Sequence, residues 1–331
     1  MPAPAIVSAL RRLGLLDRVE DAALTPLSGG VSSDIWRVDL PDRTVAAKQA
    51  LPTLKVQAVW EAPVERSRYE AAWLDTAARL APGLGPALIG YDPIDGVVVM
   101  EWLDPGDHPV WKGQLRDGHA DAAVAATLAT GLVQLHTATA DRADVEARFD
   151  SGYIFGPIRL EPYLDATGRV HPDLDGTLAG LRAMIEANRR VLVHGDVSPK
   201  NVLVGPRGPV LIDAECATFS DPAFDLAFCL NHLLLKCLWN PSAAARFLAC
   251  FTAFAAAYLG GVAWEATSET EARATRLLPA LLLARVDGKS PVEYLDSVQQ
   301  DQVRETARAM LIDPPGDTLA SIRERWHACL R

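Results

Sequence analysis

Three polar side chains between residues 191 and 213 have the types and the spacing needed for chemistry on a phosphate. They belong to Asp196, Asn201 and Asp213, and each adjoins a short apolar run that predicts a strand. A carboxylate such as Asp196 can orient an attacking hydroxyl and accept its proton, and Asn201 and Asp213 offer the oxygen ligands that Mg²⁺ prefers. The pattern therefore predicts phosphoryl transfer, although each of these residue types is also common in turns at strand ends.

Short strands must position these side chains, because strand ends are rigid places for functional groups. The apolar runs predict strands at residues 191–193, 202–204 and 210–212. Around them, hydrophobic periodicity predicts helices at residues 120–136, 174–190, 224–239, 243–259, 269–286 and 297–311. The segment 151–172 contains three glycines and three prolines, so it is predicted to be irregular.

The first hundred residues predict a mixed unit of helices and strands. Its elements are helices at residues 6–16 and 65–80 and strands at residues 35–40, 44–49 and 97–103. The run Asp-Pro-Gly-Asp-His-Pro at 104–109 then breaks the pattern. A chain of 331 residues is long enough for two lobes, so we expect a small lobe at 1–103 and a larger, mainly helical lobe at 104–331.

The chain is acidic, with 32 Lys and Arg against 42 Asp and Glu and a net charge of −10. No cluster of basic residues in the sequence offsets that charge, so binding to nucleic acid through its phosphates is not expected. The negative charge permits an amine-bearing small partner but does not require one. Part of that charge belongs to the candidate base and metal ligands, Asp196 and Asp213.

The cysteines and the apolar stretches predict a cytoplasmic protein without membrane contact. Five cysteines, with no CxxC pair among them, indicate free thiols in a reducing compartment. The apolar stretch 247–264 is rich in alanine and is broken by Gly260 and Gly261, so it predicts a core helix rather than a membrane span. The N-terminus has no signal-peptide pattern. We expect a monomer or a homodimer.

The segment 194–201, His-Gly-Asp-Val-Ser-Pro-Lys-Asn, resembles the catalytic segment of the aminoglycoside phosphotransferase and choline kinase superfamily. Two further stretches share the resemblance, namely the Leu-Ile-Asp that ends at Asp213 and the Asp-Pro-Ala-Phe-Asp-Leu-Ala at 221–227. The resemblance implies an α+β, protein-kinase-like bilobal fold with an antiparallel sheet in the N-terminal lobe. It also implies transfer of the ATP γ-phosphate to a hydroxyl of a small molecule.

The resemblance assigns roles to individual residues. Asp196 would be the catalytic base, Asn201 and Asp213 would bind Mg²⁺, and ATP would be the nucleotide, with GTP left open. Lys48 would contact the α- and β-phosphates, and Glu70 would pair with Lys48. The remaining expected nucleotide contacts are Ser28, Gly29 and Gly30 in a glycine loop and Met100, Glu101 and Trp102 in a hinge strand.

Glu215 departs from the usual pattern of the superfamily. It forms an Asp-Ala-Glu with Asp213 that resembles the Asp-Pro-Glu of methylthioribose kinases. The carboxylate of Glu215 could ligate metal or contact substrate, or it could hold a loop through hydrogen bonds.

The acceptor pocket has three candidate linings. One is the segment 151–172, which carries Arg159, and another is the helix 224–239, where Asn231, His232 and Lys236 interrupt an apolar face. The third, and the preferred one, is the polar turn 285–294. Its candidate substrate residues are Arg285, Asp287 and Lys289. Together with Glu215 and Arg159, they make up the expected substrate contacts.

The acceptor itself is expected to be a small hydroxylated molecule, either aminoglycoside-like, a sugar or an amino alcohol. The chain has no run of carboxylates like those that line aminoglycoside pockets, so an aminoglycoside is not required. The alternative is a catalytically silent, kinase-like protein that binds nucleotide and regulates. The presence of Lys48, Asp196, Asn201 and Asp213 together favours the enzyme.

Overall fold

The computed structural model describes residues 4–18, 22–27, 33–51 and 63–330. Near the N-terminus, five strands form one sheet, and two helices accompany it. The strands are β1 (Ala23–Leu27), β2 (Ser33–Asp39), β3 (Thr44–Ala50), β4 (Leu88–Asp92) and β5 (Val97–Glu101), and the helices are α1 (Pro4–Arg12) and α2 (Arg66–Leu80). Every pairing is antiparallel, in the order β1–β2–β3–β5–β4. The predicted antiparallel sheet of the N-terminal lobe is confirmed.

The two faces of this sheet bury different neighbours, because successive side chains of a strand point to opposite faces. In β5, Val97 and Val99 pack in one apolar cluster with Ile6 and Leu10 of α1. The alternate residues of β5 belong to the main core, which α2 and the helices of the second lobe also enter. The sheet is thus fixed between α1 and the rest of the molecule.

Helices dominate the second lobe. They are α3 (Trp111–Arg116), α4 (Ala122–Thr139), α5 (Ala143–Arg148), α6 (Gly152–Phe155), a π-helix (Gly156–Asp165), α7 (Ala166–Val170), α8 (Asp175–Ala187), α9 (Ala223–Trp239), α10 (Ala244–Gly260), α11 (Thr267–Asp287), α12 (Ser297–Ile312) and α13 (Leu319–Cys329). Two small antiparallel pairs join them. These are β6 (Val191–Val193) with β9 (Thr218–Ser220), and β7 (Val202–Gly205) with β8 (Gly208–Leu211).

Helix α9 runs through the centre of this lobe. Its residues 223–238 are buried all round, which is the pattern of a helix surrounded by others. Helices α10 and α11 pack against it, and α10 also packs along α4. The apolar core of the lobe therefore holds the start of α9, which follows β9 in the chain, in a fixed position.

Helix α10 and the turn before it, Pro241–Gly260, are long and apolar enough to cross a membrane by length and composition. In the fold this helix buries Phe247, Phe251 and Phe254 against its neighbours. It ends at Gly260, at the glycine pair where the sequence predicts an end. Of this apolar window, 44% is buried, and the helix packs against α4 and α9.

One sequence expectation is wrong. The segment 151–172 is not irregular, because α6, the π-helix and α7 follow one another without a break. Pro157 lies in the first turn of the π-helix, where a helix needs no backbone N–H, and Pro162 lies within its wider turns. Sequence reasoning also missed β1, β4 and α13. Of these, β1 carries a proline on an edge strand, and β4 has an irregular register near Gly90.

Candidate active site

A buried strand and a glycine turn place the catalytic loop. Strand β6 leads into His194 and Gly195, and Gly195 has a φ of +78°. A Cβ at that glycine would lie 2.6 Å from the carbonyl oxygen of Cys216, so the turn excludes any other residue. The carboxylate of Asp225, at the start of α9, accepts the N–H groups of His194 at 2.6 Å and of Gly195 at 2.8 Å. Asp225 thus connects α9 to the catalytic loop through two hydrogen bonds.

His194 is a structural member of this loop. Its ring is fully buried, packs edge-on against Trp73 at 5.0 Å, and accepts the Asp196 N–H at Nδ1. Burial lowers the pKa of His194 below its usual value. A neutral, enclosed imidazole fits a packing role better than a proton shuttle.

Asp196 is 4% exposed and lies between two cations. Its Oδ2 is 2.8 Å from Nη2 of Arg159 and 2.9 Å from Nζ of Lys200. Burial alone would raise the pKa of Asp196, but Lys200 and Arg159 outweigh it and hold the pKa below its usual range. The Asp196 carboxylate is therefore ionised at neutral pH and able to accept a hydrogen bond from a hydroxyl.

Three oxygen-bearing side chains converge on one cationic position. The Lys200 Nζ lies 2.9 Å from Asp196 Oδ2, 3.0 Å from Asn201 Oδ1 and 3.8 Å from Asp213 Oδ2. The amide nitrogen of Asn201 donates to the Asp196 carbonyl, which turns the amide oxygen toward that position. Carboxylate and amide oxygens around a positive charge are the donor set of a hard divalent cation, so Asn201 and Asp213 fit a magnesium-type site.

Asp213 has an unusual backbone conformation, with a φ of +68°. A non-glycine residue in that region costs about 1–2 kcal/mol, so the surroundings must impose it. The preceding residue is tied to the catalytic loop, since the Ile212 N–H donates to the Asn201 carbonyl at 2.9 Å. This strain turns the Asp213 side chain into the space between the lobes, where it bonds Lys48.

Lys48 and Glu70 form a buried ion pair at 2.9 Å, which joins β3 to α2. Burial opposes the charge of Lys48, but Asp213, Glu70 and Glu215 outweigh it and raise the pKa of Lys48. Burial also raises the pKa of Glu70, against the attraction of Lys48. Lys48 therefore stays charged, and it contacts the small lobe through Glu70 and the large lobe through Asp213.

Glu215 belongs to the same network. Its Oε2 accepts the Arg66 Nε–H at 3.0 Å and lies 4.0 Å from the Lys48 Nζ. Arg66 is completely buried at the start of α2 and also donates to the carbonyls of Pro63 and Leu51. Of the two roles left open for Glu215, this geometry favours holding the loop in place. Sequence reasoning missed Arg66, although it stands four residues before Glu70 and hence on the same helix face.

Of the expected nucleotide contacts, the structure describes the hinge strand but not the glycine loop. Ser28, Gly29 and Gly30 lie outside the described residues. Met100 pairs with β3 and is buried, and the Glu101 N–H is bonded to the Ala87 carbonyl. Trp102 follows directly, and its buried Nε1–H has no partner among the described residues. The indole N–H of Trp102 is thus a hydrogen-bond donor that a ligand could use.

Of the expected substrate residues besides Glu215, Arg159 contacts the catalytic loop. The other three, Arg285, Asp287 and Lys289, contact side chains elsewhere in the second lobe. Arg159 projects from the π-helix onto the catalytic loop, where it also donates to the Gly195 carbonyl at 2.7 Å. Arg285 bonds the hydroxyls of Tyr163 and Ser290. Two others are held in ion pairs within the second lobe, Asp287 with Arg304 and His171, and Lys289 with Glu161.

A group of cations surrounds His232 on α9, and we call Lys112, Lys236 and Arg285 the basic cluster. Lys236 is 1% exposed. Burial together with Lys112 and Arg285 lowers the pKa of Lys236 to about 6, and only Glu293 acts in the opposite direction. Burial and the basic cluster also lower the pKa of His232 well below its usual value. This corner of the lobe therefore has an excess of positive charge.

The basic cluster predicts a pH-dependent stability. The folded protein binds fewer protons at Lys236 than the unfolded chain between pH 6 and pH 10, so unfolding should become less favourable as the pH rises through that window. Relative to Lys236→Met, the free energy of unfolding of the wild type should rise with pH by at most about 1.4 kcal/mol per unit. Urea unfolding at pH 6, 7, 8 and 9 measures it, and parallel curves would contradict the burial argument.

Comparison with known proteins defines the class. Residues 23–237 match the model of the phosphotransferase enzyme family designated APH. The match covers more than half of the 331 residues and spans the sheet, the catalytic loop and most of α9. The chain belongs to this phosphotransferase family, and the sequence-based resemblance is confirmed.

Curated relatives of the chain include methylthioribose kinases. The enzyme of Erwinia tasmaniensis is 29% identical over 219 residues, which cover 58% of this chain and 54% of that protein. The enzyme of Yersinia pseudotuberculosis is 26% identical over 349 aligned positions, covering 85% of this chain and 84% of its own. The first of these alignments spans about half the length of the curated relative.

Solved structures share the fold. A choline/ethanolamine kinase family protein from Mesorhizobium loti superposes with a TM-score of 0.55 at 16% identity, over 98% of each chain. An aminoglycoside phosphotransferase from Alicyclobacillus acidocaldarius gives 0.53 at 22% identity, over 99% of this chain and 97% of its own. These likenesses confirm the bilobal α+β architecture.

Proposed function

We propose that this protein is an ATP-dependent phosphotransferase that moves the γ-phosphate to a hydroxyl of a small molecule. The observation that carries the proposal is the convergence of Asp196, Asn201 and Asp213 on one cationic position beside the Lys48–Glu70 pair. Phosphoryl transfer depends mainly on positioning and charge neutralisation, and this arrangement supplies both.

Asp196 acts on the acceptor. Its ionised carboxylate orients the hydroxyl and takes the proton late, since a carboxylate with a lowered pKa is a weak base. A loose transition state asks little more of it, because the attacking oxygen keeps its proton until the transfer is well advanced. Arg159 and Lys200 fix the position of the carboxylate.

Asn201 and Asp213 would hold a divalent cation, which we take to be Mg²⁺. When bound, the cation supplies charge neutralisation at the phosphates. Lys200 contacts Asn201, and Lys48 contacts Asp213. The two lysines therefore keep the oxygen ligands ordered and free of mutual repulsion.

The nucleotide would lie between the lobes, whose boundary we place between residues 103 and 104. Lys48 contacts the α- and β-phosphates, Glu70 holds Lys48, and the strand end at Met100, Glu101 and Trp102 receives the base. Ser28, Gly29 and Gly30, which lie outside the described residues, stay predicted phosphate contacts. ATP is the preferred nucleotide, with GTP as the alternative, and the reaction takes place in the cytoplasm.

Lys48→Met should weaken the binding of ATP by about 10- to 100-fold, because a hydrogen bond to a charged group contributes roughly 1.5–3 kcal/mol. Isothermal titration with ATP and Mg²⁺ measures the effect. Urea unfolding must accompany it, since the variant also leaves Glu70 and Asp213 without their shared cation. A folded Lys48→Met protein that binds ATP like the wild type would contradict the assigned role.

A panel of acceptors tests the proposed function as a whole. Sugars including methylthioribose, amino alcohols, aminoglycosides and hydroxylated acids are each incubated with ATP and Mg²⁺, and products are examined for one added phosphate. Consumption of ATP that depends on an acceptor supports the kinase. Binding of ATP without turnover across the panel would instead support the silent, regulatory alternative.

A further inference from the structure

One face of α9 connects the catalytic loop to the basic cluster. Phe228, His232 and Lys236 are spaced four residues apart and so share a helix face. Arg159, which contacts Asp196, lies with its guanidinium 5.9 Å from the centre of the Phe228 ring. His232 packs against the same ring at 5.4 Å and is within the electrostatic influence of both Lys200 and Lys236. The face therefore leads from Arg159, the arginine that contacts Asp196, to Lys236.

Among the described residues, Lys236 has no ion-pair partner at the end of this face. Although it is 1% exposed, its ammonium has no hydrogen-bond acceptor among the described residues. It lies 4.0 Å from the ring centre of Trp239 and 3.6 Å from that of Tyr294, and the two rings stack on each other at 4.4 Å. Burying a cation against aromatic faces alone leaves much of its desolvation cost unmet.

The neighbouring groups add to this unmet demand for a negative charge. Arg285 contacts the uncharged hydroxyls of Tyr163 and Ser290, and its buried Nε–H has no partner in the described part of the chain. The nearby carboxylate, Glu293, is already paired with Lys112. Among the described residues, Arg285 thus lacks a counter-ion, and so does Lys236 whenever its amine is protonated.

We propose that the acceptor carries an oxyanion, a carboxylate or a phosphate, which Lys236 and Arg285 bind while its hydroxyl reaches Asp196. This inference rests on the proposed function and narrows it to anionic acceptors. Two turns of α9, roughly 12 Å, separate the level of Phe228 from that of Lys236, so the acceptor is longer than a three-carbon compound. Polycationic acceptors are disfavoured by the same charges.

A matched series of six-carbon compounds tests the inference. Gluconate, glucose 6-phosphate, glucose and glucosamine share a hydroxylated chain and differ in carrying a carboxylate, a phosphate, no charge or an ammonium. Binding is measured by titration, and phosphate transfer is measured with ATP and Mg²⁺. We expect the two anions to bind at least tenfold more tightly than glucose, and glucosamine to bind most weakly.

Variants distinguish the effect of the Lys236 charge on anion binding from an effect on folding. Lys236→Met should weaken anion binding about tenfold or more without changing ATP binding, and Lys236→Arg should restore most of it. Arg276→Met, which removes an exposed cation from α11, is the control and should bind the anions like the wild type.

The possible results distinguish the two proposals. Anions that bind through Lys236 without being phosphorylated would support the anion site and count against kinase activity. Glucose or glucosamine phosphorylated as well as the anions, and equally by Lys236→Met, would overturn the anion site and leave the kinase standing. Failure of both anions to bind more tightly than glucose would also overturn it.

Discussion

Replacing Asp196 with asparagine is expected to lower kcat by about 10²- to 10⁴-fold, because the amide cannot take the hydroxyl proton. The affinity for ATP should not change, since Asp196 contacts the acceptor side of the site and the nucleotide contacts lie elsewhere. Asparagine keeps the size of the side chain and an oxygen for Arg159 and Lys200. Steady-state kinetics with the best acceptor, together with ATP titration, measures both quantities.

A matched exchange elsewhere makes this result specific. Asp144→Asn alters an exposed aspartate on α5 that is likewise paired with an arginine, Arg142, and it should leave kcat unchanged. Wild-type turnover in a folded Asp196→Asn protein would remove Asp196 from the base role. A loss of ATP binding together with turnover would instead indicate that the carboxylate supports the nucleotide site.

Asp225→Asn is expected to lower the free energy of unfolding by about 3 kcal/mol, since a completely buried carboxylate that accepts two backbone N–H groups is replaced by a group with one acceptor oxygen. One N–H of the catalytic loop then faces an amide donor. The loop should shift, and kcat per folded molecule should fall by about 10- to 100-fold, because small displacements of reacting groups are costly.

Asp221 provides the comparison that separates positioning from stability. It is also completely buried, it accepts the Ala223 N–H at 2.9 Å just before α9, and it pairs with Arg273 at 2.9 Å. Asp221→Asn should destabilise the protein without lowering kcat per folded molecule. Equal losses of kcat in the two variants, measured at a temperature where both are folded, would show that Asp225 acts through stability alone.

The catalytic loop could be predicted from the sequence because its groups are close in the chain and adjoin strands. Asp196 and Asn201 are five residues apart, and the turn between them brings them together whatever the rest of the fold does. Lys48 and Glu70 needed the resemblance as well, since a strand and a helix must pack before the two side chains meet. The first expectation depended on a short separation in the chain, and the second depended on the resemblance to a known family.

Other parts of the site could not be predicted, because long-range packing decides them. Arg66 meets Glu215 across 149 positions, and nothing in either local sequence indicates that contact. Lys236 reads as a single cation on an apolar helix, and only the packing of Trp239 and Tyr294 shows that its ammonium is enclosed. Likewise, the net charge of −10 gives no sign of a corner with excess positive charge.

The π-helix makes the length of one segment matter more than its composition. Its i→i+5 hydrogen bonds accommodate more residues per turn than an α-helix does, and this geometry sets the angular position of every side chain that follows. Deleting one residue before Arg159 would turn this side chain by about 100° relative to the upstream helix. Arg159 would then leave Gly195 and Asp196 although every apolar side chain of the segment remained. Among related chains, insertions and deletions here should therefore be rarer than substitutions.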